Sequence, residues 1–426
     1  MKNIEIKPSP LKGEINIPPS KSMSHRAIIC ASLSEGESLI DNIILSDDII
    51  ATLEAMKSFG IEVKISQVDE NGICNLHIKG REKLELLNNE IDCKESGSTL
   101  RFLIPMAGLL NKRVTYRGRG KLIERPLDSY YEIFKEQGIY YENDNDKLPL
   151  TIEGQLKPGT FKIKGNISSQ FITGLLFVLP LLPGDSKIII TTELESKGYV
   201  DLTLEMLKRF SIDVVNNNYQ EFHIKGNQKY KATNYKVEGD FSQAAFFIVA
   251  GVLGEELKSS GLNMDSLQGD KAILDIVKSM GADINIDHDL VIVKKSKTKG
   301  ITIDVSQCPD LVPILAVLGS LSQGTTKIIN GERLRIKESD RLKAISTELN
   351  KLGADVRELE DGLEIKGKEN LQGGVVNSWN DHRIAMALAI ASIKCKEPVI
   401  IENSKAVEKS YPTFWEDLKR IGGILK

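Results

Sequence analysis

NISSQFITGLLFVLPLL, residues 166–182, is a polar turn that runs straight into an apolar helix, and DLTLEMLKRFSIDVV, residues 201–215, is an amphipathic helix that stops and becomes a strand. Apolar side chains occupy nearly every face of the first helix, so it belongs inside a core. Glu and Lys gather on one face of the second, so it lies nearer solvent. A β-like segment, TFKIKG from Thr160, comes before the turn. The unit therefore predicts strand, turn, buried helix, strand, amphipathic helix and strand, an α/β pattern with regular crossovers. The opening turn and helix return from Pro18 (PPSKSMSHRAIICASL), Ser96 (SGSTLRFLIPMAGLL), Gly239 (GDFSQAAFFIVAGVL), Cys308 (CPDLVPILAVLGSL) and Asn380 (NDHRIAMALAIASI), a spacing of roughly seventy residues. The amphipathic helices stop at Gly60, Gly138, Ser211, Gly281, Gly353 and Gly422. Six copies divide into two domains of three, and the chain changes halves around Lys236 to Gly239.

At 426 residues, 41% hydrophobic and 27% charged, the chain exceeds the usual size of one domain. Its apolar runs, such as Phe171 to Leu182, fall short of the roughly 20 residues that span a bilayer, so no membrane passage is expected. The start, MKNIEIKPSPLKGEINI, lacks the apolar core of a secretion signal and reads as a cytoplasmic terminus. Cys30, Cys74, Cys93, Cys308 and Cys395 form no CxxC pair and read as buried thiols; with five histidines and no HExxH, a metal centre has little support. A net charge of −3 argues against a broad nucleic-acid surface. Neither a GxxxxGK[ST] loop nor a strand-linked GxGxxG is present, which disfavours nucleotide and dinucleotide use.

The turns before the buried helices carry the chemistry. If these helix starts share a cleft, their N–H groups and dipoles favour anions, and Ser20, Ser22, Ser24, Ser168, Ser169, Asp240, Ser242 and Asp381 supply capping or turn groups. Cations recur beside them: Lys21, Arg26, Arg101, Arg125, Lys337, Arg341, Arg383 and Lys409. Gathered, they would hold phosphate or carboxylate through charge-assisted hydrogen bonds, although each alone is compatible with an ordinary surface position. Asp310 and Glu338 are a candidate proton acceptor and donor, or else a helix-start group and the partner of Lys337 or Arg341. His25 and His382 are candidates for proton shuttling, with a structural histidine the simpler reading of either.

With PSKSMSHR at 19–26, SGSTLR at 96–101, ERP at 124–126, ISSQF at 167–171, ESKGY at 195–199, EGDFS at 238–242, RIKESDRL at 335–342, NDHR at 380–383 and KSYP at 409–412 in this order, the whole chain resembles the 5-enolpyruvylshikimate-3-phosphate synthases, which are enolpyruvyl transferases. The resemblance implies a two-domain inside-out α/β barrel with six repeats, three per domain. One domain is 1–19 plus 239–426 and the other 20–238, with the active site in the interdomain cleft. It implies transfer of the enolpyruvyl group of phosphoenolpyruvate to the 5-hydroxyl of shikimate 3-phosphate, with release of phosphate and without metal or cofactor.

By the same resemblance, Lys21, Ser22, Arg26, Ser168, Ser169, Gln170, Ser196, Tyr199, Asp310, Arg333 and Lys337 hold shikimate 3-phosphate. Lys21, Gly97, Arg125, Gln170, Arg341, Arg383 and Lys409 surround phosphoenolpyruvate, Gly97 letting it approach the backbone. Asp310, Glu338 and Lys21 are the implied proton-transfer groups, and glyphosate is the implied inhibitor of a monomeric enzyme. Two departures stand out: Glu95-Ser96-Gly97-Ser98 replaces a frequent NAGT, and Arg333 stands where some relatives use Asn. The alternative is a UDP-N-acetylglucosamine enolpyruvyl transferase, but the stretch Arg117 to Glu124 lacks the cysteine that those enzymes commonly carry. A noncatalytic anion-binding protein is the different-class alternative, disfavoured by Asp310 and Glu338 among the cations.

Overall fold

The computed structural model describes residues 3–426, and within them helices of two kinds alternate. In chain order they are α1 (Lys21–Ser32), α2 (Asp47–Ser58), α3 (Gly97–Leu110), α4 (Asp128–Gln137), α5 (Ser169–Val178), α6 (Lys197–Arg209), α7 (Phe241–Leu253), α8 (Ile273–Ser279), α9 (Val312–Ser320), α10 (Arg341–Lys351), α11 (His382–Ala391) and α12 (Phe414–Arg420). Every residue of α7, α9 and α11 is buried, whereas α6 buries one face through Val200, Leu202, Thr203, Met206 and Leu207. None is long and apolar enough to cross a membrane.

The helix starts follow from side-chain capping. Ser20, Ser96, Ser168, Asp240 and Asp381 each accept a hydrogen bond from a backbone N–H of the first turn, replacing a partner that the helix cannot supply. Ser22, Ser24, Ser169 and Ser242, read from the sequence as turn or capping groups, sit inside the first helical turn instead. α9 has no such cap. It grows out of the 3₁₀ turn Pro309–Leu311, with Pro313 near its start, where a missing N–H is harmless. The ends of the even-numbered helices are left-handed: Gly60, Gly138, Ser211, Gly281, Gly353 and Gly422 all have positive φ.

Each repeat makes one sheet. In the third, Thr160–Ile163 runs parallel to Ser186–Ile190, which pairs antiparallel with Glu221–Ile224, itself hairpinned to Val214–Asn217. The same order holds for Glu90–Asp92, Val114–Arg117, Lys147–Glu153 and Tyr140–Asp144, and for Thr302–Asp304, Thr325–Ile329, Leu363–Lys366 and Asp355–Glu358. The other three sheets borrow a strand from far along the chain. Gly13–Asn16, which precedes α1, pairs with Leu257–Ser260 after α7; Tyr235–Lys236, which precedes α7, pairs with Ser34–Ile44 after α1. In the sixth repeat Ile4–Lys7 lies between Val399–Glu402 and Ile424–Leu425.

The chain forms two units with separate apolar cores, one from Pro19 to Val237 and one from the chain up to Pro18 together with Glu238–Lys426. All five cysteines are free thiols in these cores. The α/β pattern of repeated sheet and helix is thus present throughout.

Helix stops offer a clean test of backbone strain. A Cβ on Gly138 meets nothing within 4 Å, so its φ of +68° is the only obstacle to a side chain; Ser211 holds φ +67° despite having one. Gly138→Ala should cost about 1 kcal/mol and Ser211→Gly should gain a similar amount, read as opposite shifts of the urea midpoint.

Candidate functional site

The helix starts of each unit carry a cluster of charged and polar groups. In the unit from Pro19 to Val237, Lys21 at the start of α1 is paired with Asp48 of α2 at 2.7 Å. Arg26 is buried one turn further along. Its Nη1 donates to the carbonyl of Ser22 and its Nη2 to that of Tyr199, each at 2.8 Å, and its Nε donates to Thr203 Oγ1 at 2.9 Å. Its guanidinium also lies 5.3 Å from the Phe102 ring centroid. Arg26 therefore joins α1 to α6 and brings Ser22 together with Tyr199. Burial pushes its pKa down to about 10, against Tyr199 and Cys30.

Arg101 of α3 does comparable work for the next two helix starts. Its Nη1 donates to Gln170 Oε1 and its Nη2 to the carbonyl of Pro126, both at 2.9 Å, while Gln170 Nε2 donates to Ser98 Oγ at 3.0 Å. Gln170 is thereby fixed at both ends of its amide, and the Arg125–Pro126 segment is fixed to α3. Gly97 lies against Arg125. A Cβ there would lie 2.3 Å from Arg125 Nη1, so the missing side chain makes room for a guanidinium. Ser168 caps α5, Ser169 is its first residue, and Ser196 precedes α6 in the left-handed conformation.

His25 is held by hydroxyls. Nδ1 lies 2.8 Å from Thr52 Oγ1, which lies 2.7 Å from Thr99 Oγ1, and Nε2 is buried without a hydrogen-bond partner among the described residues. Burial, then Lys21 and Arg26, push its pKa well below the ordinary value, so the imidazole stays neutral. The contact with Thr52 fits the structural histidine, the simpler of the two readings.

In the other unit Asp310 projects from the Pro309–Leu311 turn into a nest of cations. Oδ1 accepts from Arg341 Nη1 at 2.7 Å, Oδ2 accepts from Arg383 Nη2 at 3.0 Å, and Lys337 Nζ lies 3.6 Å from Oδ1. Arg341, whose side chain is 1% exposed, also donates through Nε to Asp381 Oδ2 at 2.9 Å and through Nη2 to Glu338 Oε2 at 2.7 Å. Burial opposes its charge, but Asp381, Glu338 and Asp310 together push its pKa well above the ordinary value. Asp310 is thus more than a helix-start group, and Glu338 is a partner of Arg341.

Lys337 keeps 24% of its side chain exposed, and its pKa is pushed down to about 8 by burial of the ammonium, against Asp310 and Glu338. Lys409 donates to the carbonyl of Asn380 at 2.5 Å, at the start of α11. Arg333 donates to the carbonyl of Ser306. The residues brought together here are Asp310, Lys337, Glu338, Arg341 and Arg383. Asp48 and the counterion role of Asp381 escaped the sequence reading; the signals were Ser46 followed by Asp47 and Asp48, a cap and acidic first turn of α2, and the NDHR turn. Arg117 and Arg119 pair at the surface with Glu90 and Asp92.

Comparison with known proteins places the chain in a family. The profile of a family described as EPSP synthase (3-phosphoshikimate 1-carboxyvinyltransferase) matches residues 6–418. A 3-phosphoshikimate 1-carboxyvinyltransferase of Clostridium novyi is 66% identical, the match covering 100% of this chain and 98% of that one. Another, of Clostridium perfringens, is 59% identical, covering 100% of both. A solved structure of EPSP synthase from Acinetobacter baumannii superimposes with a TM-score of 0.83 at 26% identity, covering 100% of this chain and 99% of that one. With near-complete coverage on both sides, the chain belongs to the EPSP synthase (3-phosphoshikimate 1-carboxyvinyltransferase) family.

Proposed function

We infer that the chain transfers the enolpyruvyl group of phosphoenolpyruvate to the 5-hydroxyl of shikimate 3-phosphate, giving 5-enolpyruvylshikimate 3-phosphate and inorganic phosphate. The observation that carries the chemistry is Asp310 held between Arg341 and Arg383, with Lys337 and Glu338 beside it. Asp310 accepts the hydroxyl proton as the oxygen attacks C2 of phosphoenolpyruvate. Glu338 or Lys21 protonates C3, giving a tetrahedral intermediate, and loss of phosphate from C2 together with a proton from the C3 methyl group then restores the double bond. Fixed guanidinium and ammonium groups stabilise the charge that moves to the phosphate.

Lys21, Ser22, Arg26, Ser168, Ser169, Gln170, Ser196, Tyr199, Arg333 and Lys337 are proposed for shikimate 3-phosphate. Lys21, Arg125, Gln170, Arg341, Arg383 and Lys409 are proposed for phosphoenolpyruvate, with Gly97 acting through Arg125. Hydrogen bonding of Arg26 to the carbonyls of Ser22 and Tyr199 supports the first set, because it holds two of its members in place. The same reading takes each group of three repeats as an inside-out α/β barrel, the enzyme as a cytoplasmic monomer, and glyphosate as an anion competing with phosphoenolpyruvate.

Purified protein should release phosphate from phosphoenolpyruvate only when shikimate 3-phosphate is present, measured with product mass analysis; equal turnover with UDP-N-acetylglucosamine would overturn the assignment. Asp310→Asn should lower kcat roughly 100-fold or more while substrate binding persists in calorimetry. The Lys337 charge is present below its pKa of about 8 and lost as pH rises through it, so kcat/KM for shikimate 3-phosphate should fall there. Lys337→Arg should move that alkaline limb upward, read from kcat/KM against pH.

A further inference from the structure

Asp270 lies in the short turn Gly269–Ala272 ahead of α8, and only 2% of its surface is exposed. Its Oδ2 accepts a hydrogen bond from Ser242 in the first turn of α7. Its Oδ1 is buried and has no hydrogen-bond partner among the described residues. The segment backs directly onto the turn that carries Asp310, because a Cβ on Gly269 would come within 2.9 Å of the carbonyl of Gln307. The charged and titratable groups facing Asp270 are Asp310 and Cys308 from that turn, Arg383 from α11, and Asp240 from the cap of α7.

A carboxylate with one donor, one unpartnered oxygen and two carboxylate neighbours is a costly buried ion, and protonation relieves the cost. Burial, then the charge of Asp310, push the Asp270 pKa up to about 7, against Arg383 and Ser242. Burial and Asp270 in turn push the Cys308 thiol up to about 12, so the thiol adds no charge near neutrality.

We propose that Asp270 is a positioning residue for Asp310: held as a neutral acid, it leaves Asp310 as the carboxylate around which Arg341, Arg383 and Lys337 gather. Its ionisation adds a second negative charge behind the turn and weakens the hold of these cations on anionic substrate. The premise is the proposed role of Asp310 as proton acceptor. Below a pKa of about 7 the acid is neutral and the cations keep their full attraction; above it, part of that attraction is spent on Asp270.

The test is the KM for phosphoenolpyruvate between about pH 6 and about pH 8 in the full chain. On going up that range it should rise about tenfold in the wild type and by less than about threefold in Asp270→Asn, which preserves shape but cannot ionise. Infrared difference spectra across the range should show a protonated carboxyl band disappearing in the wild type and no such band in the variant. Ser242→Ala removes a donor that favours the charged form, so its KM inflection should move to higher pH. A wild-type pH dependence in Asp270→Asn, or an unmoved inflection in Ser242→Ala if the first variant fails to fold, overturns the proposal. Asp310→Asn separates the premise: full turnover in that variant removes the acceptor role itself, whereas its loss alongside a wild-type pH dependence in Asp270→Asn rejects the role of Asp270 alone.

Discussion

One buried guanidinium fixes the geometry of a cluster of three carboxylates. Arg341 is the first residue of α10, yet its donors reach Asp310 ahead of α9, Asp381 at the cap of α11 and Glu338 just before its own helix. A planar group with five donors can hold three carboxylates in set directions, which an ammonium cannot. Burying such a network gives little net stability, since desolvation offsets much of the attraction. What it supplies is position. Asp381 caps α11 through the N–H of Arg383 and accepts from Arg341 at once, so a shift of either helix would break the tie between α10 and the α11 cap.

In the other unit Lys21 has the carboxylate of Asp48, but the two buried guanidiniums are held by neutral acceptors. Arg101 holds an amide oxygen and a backbone carbonyl and sits 4.9 Å from the Phe171 ring centroid. Arg26 likewise holds two carbonyls and a hydroxyl. These acceptors carry no net charge, and they hold the side chains still. Fixed donors cost no reorganisation when charge moves, which is the condition for electrostatic catalysis.

The repeats, helix stops and most capping turns were legible in the sequence because each is a local pattern. Ser168 before an apolar helix and Gly138 after an amphipathic one are read within a few residues. What was not legible depends on partners far apart. Asp310 and Arg383 are separated by 73 positions, and Arg26 and Tyr199 by 173. Sequence put cations near the helix starts but could not say that Arg26 and Arg101 bind the protein itself, that Gly97 accommodates Arg125, or that Arg333 turns to the Ser306 carbonyl. Asp270 stayed hidden for the same reason: only the packing of Gly269 against Gln307 makes it a neighbour of Asp310.

The borrowed strands also set an order of events during synthesis. Residues 19–237 contain every strand that their own sheets need, so this unit can close while the ribosome is still at work. Gly13–Asn16 leaves the ribosome early but pairs with Leu257–Ser260, and Ile4–Lys7 pairs with Val399–Glu402 and Ile424–Leu425. The first strands made are therefore among the last to find partners. Glu5 and Lys426 exchange backbone hydrogen bonds at 3.1 and 2.9 Å, so the strand Ile4–Lys7 is closed on this side only after the whole sixth repeat has been made.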